Sequence, residues 1–255
     1  MNIFYWCMRK KLISLLKRLG LYNTAQRILG MKFLLRRIIH PLWLHLLTRP
    51  ISPLSMVYGF DRGGSVDRYY IENFLSNNKI DVTGTCLELL NDNYTKRYGH
   101  DVMRADILDI DRDNKRATIY GDLRGLDTVS DNTYDCIILT QVLQFIDNAP
   151  AAIREMHRIL KPGGVVLATV PAISRIDVRA GVDADFWRFT QAGVQYLFEQ
   201  AFNKENITVV PCGNHYAGLL FWSGAGLPEA NKRKLDAHDP QFPVLVTIRA
   251  TKHAA

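Results

Sequence analysis

The sequence predicts an α/β fold, a seven-stranded, mostly parallel sheet with helices on both faces, preceded by a basic helical segment. Two observations carry this reading. Beyond residue 56, short apolar runs of strand length alternate with stretches whose apolar residues recur every three to four positions. Before that, residues 1–60 hold ten of the 32 Lys and Arg residues and no Asp or Glu, so the other 22 basic residues face all 25 acidic ones. The net charge of +7 therefore belongs to the start of the chain. The remainder carries no basic footprint for nucleic acid.

The elements follow in order. Leu12, Leu15, Leu16 and Leu19 recur at helical spacing with Lys10, Lys11, Lys17 and Arg18 between them, the pattern of an amphipathic helix. A second apolar stretch, Phe33 to Leu47, is broken by Arg36, Arg37 and Pro41, and the proline splits or kinks any helix there. Its longest run without Lys or Arg, Ile38 to Thr48, is too short to span a bilayer. No apolar region leads to a small-residue cleavage site, which argues against a signal peptide. The segment reads either as a helical cap on its own domain or a partner chain, or as an interfacial segment on anionic membrane. On such a membrane each basic residue adds roughly 1 kcal/mol. Pro50, Pro53, Gly59, Gly63 and Gly64 mark the boundary, giving a basic segment over residues 1–55 and a domain over 56–255.

Within the domain, 66–75 reads as a helix, and strands follow at 85–90, 101–105 and 116–120. Residues 134–139 form a strongly apolar strand and 149–160 a helix, closed by the Lys161-Pro-Gly-Gly164 turn. A strand at 165–170, a helix at 190–202 and strands at 207–210 and 244–250 complete the pattern. Cys86 and Cys136 fall inside strands, and with no CxxC spacing the four cysteines read as small apolar residues in a reducing cytoplasm.

Open α/β sheets bind ligands beyond the carboxyl ends of their strands, so the residues there are the candidates. Glu88 stands near the end of the first strand. Asp106 follows the second, 18 positions on, and Asp122 follows the third. Thr140 and Gln141 follow the fourth. Three acids in register on successive strands point to an adenosine-type ligand, although each aspartate alone could cap a turn. Asp135 reads as fixing the start of its strand. No GxGxxG follows a strand and no P-loop is present, which argues against a nicotinamide oxidoreductase and a P-loop phosphotransferase.

These residues also carry a resemblance. The stretches 66–75, Leu87-Glu-Leu89, Gly121-Asp-Leu123, 134–146, Arg158-Ile-Leu-Lys-Pro-Gly-Gly164 and Phe186-Trp-Arg-Phe-Thr190 resemble class I S-adenosylmethionine-dependent methyltransferases. The type 11 group of small bacterial proteins is the nearest pattern. The resemblance implies a Rossmann-like sheet and S-adenosyl-L-methionine as cofactor. It places Glu88, with Asn91 in the first loop, toward the methionine end. Asp106 would take the ribose, Asp122 and the Leu123 backbone the adenine edge, and Thr140 and Gln141 the sulfonium side.

One departure stands out. The family's first loop usually carries glycines, whereas Leu90-Asn-Asp-Asn-Tyr-Thr-Lys-Arg-Tyr-Gly99 has none before Gly99. Asn91 or Asn93 is the expected supplier of a left-handed turn. The expected activity is methyl transfer to a small-molecule, sugar or lipid-linked acceptor. The alternative is a non-catalytic binding or regulatory module with a degenerate pocket. His215 is the candidate base for an oxygen acceptor, and Trp187, Arg188 and Phe189 form either a core cluster or a wall of the acceptor pocket. Expected partners are the acceptor and, through residues 1–55, the surface of an anionic membrane.

Overall fold

The computed structural model describes residues 52–253 together with Gly20, Leu21 and Thr24. The helices expected before residue 50, and the membrane contact expected of residues 1–55, lie outside the described residues. Among the described residues no helix is long and apolar enough to cross a membrane.

Seven strands form one sheet: β1 (Gly84–Leu89), β2 (Val102–Asp109), β3 (Ile119–Tyr120), β4 (Tyr134–Thr140), β5 (Leu160–Pro171), β6 (Ile207–Cys212) and β7 (Leu245–Thr251). Their order is β3-β2-β1-β4-β5-β7-β6. β3, β2, β1, β4 and β5 are mutually parallel, and β7 runs antiparallel between β5 and β6. Within residues 52–253 the α-helices are α1 (Val66–Asn77), α2 (Asn93–Tyr98), α3 (Ala149–Ile159), α4 (Gln191–Phe198), α5 (His215–Ser223) and α6 (Lys232–Leu235).

Strand alternation sorts the core into two layers. On one face Leu87, Ile137, Leu139, Val166 and Ala168 pack with Ile153, Met156 and Ile159 of α3 and Val194 and Phe198 of α4. On the other, Cys86, Cys136, Ile138 and Leu167 pack with Tyr70, Ile71 and Leu75 of α1 and Ala217 and Phe221 of α5. Cys86 and Cys136 are register partners on β1 and β4, fully buried and free, as their apolar surroundings in the sequence suggest. Asp135 fixes the start of β4 by accepting from the Thr85 N–H (2.8 Å) and Lys161 Nζ (2.7 Å). Gly84 makes room for it: φ is +67°, and a Cβ there would lie 2.4 Å from Asp135 Oδ2.

Three features differ from the sequence reading. α2, α5 and α6 are too short or too uniformly apolar to carry a helical stripe in the sequence. β5 begins at Leu160, so the Lys161-Pro-Gly-Gly164 turn belongs to its irregular first half. β2 extends four residues beyond Ala105, through Asp109, because Asp106, Ile107 and Leu108 pair with Leu87, Glu88 and Leu89.

Candidate active site

The carboxyl edge of the parallel strands holds most of the predicted residues. β1 ends in a turn at Leu90, the residue that takes the left-handed conformation (φ 68°). The sequence pointed to Asn91 or Asn93 instead. The left-handed turn falls on the bulkier Leu90 because its N–H bonds Leu108 O (3.0 Å), keeping it in register with β2. Asn91 contributes a local turn, its Oδ1 accepting from the Asn93 N–H at 3.0 Å.

Glu88 is buried, and its carboxylate turns to the start of α2. It accepts from the N–H groups of Tyr94 (3.1 Å) and Thr95 (2.7 Å) and from the Thr95 hydroxyl (2.9 Å). Burial pushes this carboxyl above its ordinary range, against the pull of those donors. Most of its accepting capacity is thus spent on ordering the first loop.

Asp106 departs from its predicted place. It lies inside β2, not after it, and its buried carboxylate accepts from Tyr134 Oη (2.9 Å) and Thr118 Oγ1 (3.3 Å) while pairing with Arg104 (2.6 Å). These partners give it a bracing role in the sheet. The acid at the end of β2 is Asp109, buried and held by the Asp111 N–H (2.9 Å) and Asn114 Nδ2 (2.7 Å). The sequence did not single out Asp109, because the position depends on where β2 ends. Asn114 Nδ2 also reaches Leu90 O (2.8 Å), and Arg116 pairs with Asp92 (2.6 Å), so the β2–β3 loop is tied to the first loop.

Asp122 follows β3 and accepts from both the backbone N–H (2.9 Å) and the guanidinium (2.6 Å) of Arg124. Arg124 holds this carboxyl below the usual carboxylate range, so it is ionised at neutral pH. The Leu123 side chain is buried, and its N–H makes no hydrogen bond among the described residues. Thr140 ends β4 half-buried. Gln141 next to it is left-handed (φ 54°), with its N–H on Thr169 O at 2.9 Å. Gln144, one turn later, is a further residue the sequence did not mark. Its Nε2 donates to Gln141 O (2.9 Å), and its buried Oε1 has no partner among the described residues. Leaving such an atom unpaired costs about 1–3 kcal/mol.

His215 stands apart from this group. It opens α5 and lines a cavity of about 640 Å³ beyond the ends of β5 and β6, with Ile173, Phe189, Leu219 and Phe242 among the walls. Its ring meets Phe242 edge-to-face at 5.7 Å. None of the predicted cofactor residues lines this cavity. Of the Trp187-Arg188-Phe189 triplet, Phe189 is the cavity wall. Arg188 braces the preceding loop through Asp185 (2.6 Å) and the carbonyls of Ser174 and Arg175, and Trp187 Nε1 donates to Ile146 O at 2.9 Å.

The comparisons with known proteins bear on the domain and its fold. Residues 81–168 match the family model described as a methyltransferase domain, type 11. No curated protein matches the sequence. Among solved structures, an S-adenosylmethionine-dependent methyltransferase from Mesorhizobium loti is similar at 14% identity and a TM-score of 0.50, over 74% of this chain and 99% of that one. The cyclase SpnF is similar at 12% identity and a TM-score of 0.50, over 73% and 82%. At such identities the likeness concerns the fold, and one of the two proteins is named for a cyclisation, so the fold does not fix the reaction. Residues 81–168 thus match a methyltransferase domain model, and the sheet around them has the class I, Rossmann-like methyltransferase fold.

Proposed function

We propose that the chain is an S-adenosylmethionine-dependent methyltransferase acting on a small-molecule, sugar or lipid-linked acceptor. The observation that supports it most is the donor set at the carboxyl edge. Asp109 and Asp122 stand at the ends of adjacent strands, the free Leu123 N–H adjoins Asp122, and the left-handed Leu90 turn lies beside them. This set fits a nucleoside with an amino-acid arm. Asp109 would take the ribose hydroxyls in place of Asp106. Asp122 and the Leu123 N–H would meet the adenine edge, the loop from Leu90 to Asp92 the amino-acid end, and Thr140 and Gln141 the side nearest the sulfur.

The cofactor, when bound, supplies an electrophilic methyl group on a sulfonium. The chain's share is to hold the acceptor in line and exclude water, which needs neither a nucleophile nor a metal. His215 would remove the proton from an acceptor hydroxyl or amine in the cavity beyond β5.

One observation favours the second reading, a non-catalytic module. The Leu90 side chain stands where the family usually has glycine, and Asn114 and Arg116 tie the loop down. A thermal-shift assay separates the two readings. S-adenosylhomocysteine should raise the Tm of the full chain, whereas adenosine monophosphate should not. No shift at millimolar S-adenosylhomocysteine would favour the module. The ten basic residues before residue 60 support a peripheral membrane setting. Flotation with anionic vesicles should carry the chain at low salt and release it at high salt, and failure to float at low salt removes the membrane from the account.

A further inference from the structure

We infer that the cavity beyond β5 takes an uncharged ligand with an apolar body and a hydrogen-bonding end, which narrows the acceptors proposed above to the apolar ones. This deepens the acceptor reading above and rests on it only for calling the ligand a methyl acceptor.

The argument starts from what lines the cavity. Its walls include Ala172, Ile173, Phe189, Pro211, Leu219 and Phe242, and among the described residues no Asp, Glu, Lys or Arg lines it. At about 640 Å³ it is within the range of small-molecule sites. An anion there would lose hydration with no Lys or Arg among the described lining residues to replace it. A sugar would bring several hydroxyls to a wall that can satisfy few.

Three polar side chains of the wall are partly engaged. Asn214 caps α5 by accepting from the Ala217 N–H (2.9 Å) and donates to Lys234 O (2.8 Å). Thr190 Oγ1 caps α4 through the Gly193 N–H (3.0 Å), and Gln191 Nε2 donates to Val209 O (3.0 Å). The side chains of His215 and Gln241 make no hydrogen bond among the described residues. The wall therefore offers an apolar bed on which the His215 and Gln241 side chains are the two wholly unpaired polar heads among the described residues.

The walls are also fixed before any ligand arrives. The segment carrying Gln241 and Phe242 is pinned by Asp239 N–H on Gly213 O (3.1 Å) and Val244 N–H on Cys212 O (2.8 Å). Gly213, at φ +120°, allows that crossing, since a Cβ there would sit 2.8 Å from Val244 N. Phe189 is tied to the end of β5 by its N–H on Pro171 O (2.9 Å). Leu219 and Phe242 stay 44% and 49% exposed, which makes the rim apolar as well. Such a rim suits a ligand whose apolar body reaches past the cavity.

The test uses two fluorescent probes that share one skeleton and differ in charge, titrated into the full chain without cofactor. N-Phenyl-1-naphthylamine is neutral with one N–H, and 8-anilino-1-naphthalenesulfonate adds a sulfonate. The neutral probe should bind saturably and at least roughly tenfold more tightly than the anionic one. Gly218→Leu adds bulk to the wall facing Ile173, and Ala192→Trp adds it from the exposed start of α4. Each should weaken the neutral probe about tenfold while leaving the thermal shift with S-adenosylhomocysteine unchanged. Equal affinity for the two probes, or neutral binding untouched by both variants, overturns the inference. If the probes behave as expected but S-adenosylhomocysteine fails to bind, the neutral-ligand site stands and the methyltransferase reading falls.

Discussion

The two halves of the carboxyl edge are built from opposite materials. Over β1, β2 and β3 the loops are crowded with partnered carboxylates: Glu88 on the start of α2, Asp92 with Lys96 and Arg116, Asp109 with Asn114, and Asp122 with Arg124. Beyond β5 and β6 the cavity wall holds, among the described residues, no Asp, Glu, Lys or Arg and rests on Phe, Leu, Ile and Pro side chains. In the proposed function one half would take a polar, charged cofactor and the other an apolar acceptor, with Gln141 and Gln144 between them at the end of β4. If that division holds, cofactor binding and acceptor choice are separable, and a substitution in one half should leave the other's readout untouched.

The largest expected effect tests that separation from the apolar side. Once an acceptor is in hand, His215→Ala should lower turnover by about 10²–10⁴-fold, with affinity for S-adenosylhomocysteine unchanged by calorimetry. Unchanged turnover would remove His215 as the base. Next comes Tyr134→Phe, which deprives the buried Asp106 of its 2.9 Å donor. Urea unfolding should report a loss of about 1–3 kcal/mol, again without a change in cofactor affinity. A tenfold loss of affinity would instead return Asp106 to the cofactor. Leu90→Gly should act in the opposite direction, relieving a left-handed leucine and raising stability by up to about 1 kcal/mol. The same change should tighten S-adenosylhomocysteine, and a weaker complex would mean that the leucine side chain itself contacts the ligand.

The smallest effect is a control outside both halves. His157 is held below its ordinary pKa, first by burial and then by the nearby Lys252. Its ring packs edge-to-face on Phe202 at 4.9 Å. The folded state therefore binds fewer protons at this site than the unfolded chain does. Its contribution is complete above the ordinary histidine pKa and is lost as pH falls through that range. Tm should decline between about pH 7 and pH 5, and His157→Leu should flatten that decline. An unaltered slope would trace the acid sensitivity to another group.

The sheet was legible because its strands are apolar runs separated by turn residues, and because the Leu-Lys-Pro-Gly-Gly turn, Tyr134 and Asp135 mark their limits. The acids were legible only as far as strand ends could be placed. β2 carries acids at both 106 and 109, and pairing with β1 decides which one reaches the edge. Leu90 was missed because propensity favours asparagine for a left-handed turn, whereas the hydrogen bond to Leu108 fixes the turn one residue earlier. The cavity around His215 was hidden because its walls come from four separated stretches (172–173, 189–192, 211–219 and 240–243) that only the β5–β7–β6 pairing brings together. No local pattern in the sequence encodes that meeting.

The most direct test of the central claim is calorimetric titration of S-adenosylhomocysteine into the full chain and its Asp109→Ala and Asp122→Ala variants. The account predicts micromolar binding, weakened about tenfold or more by each substitution, the scale of a lost hydrogen bond to a charged group. Absence of binding to a folded chain, or binding unaltered by both substitutions, would contradict it.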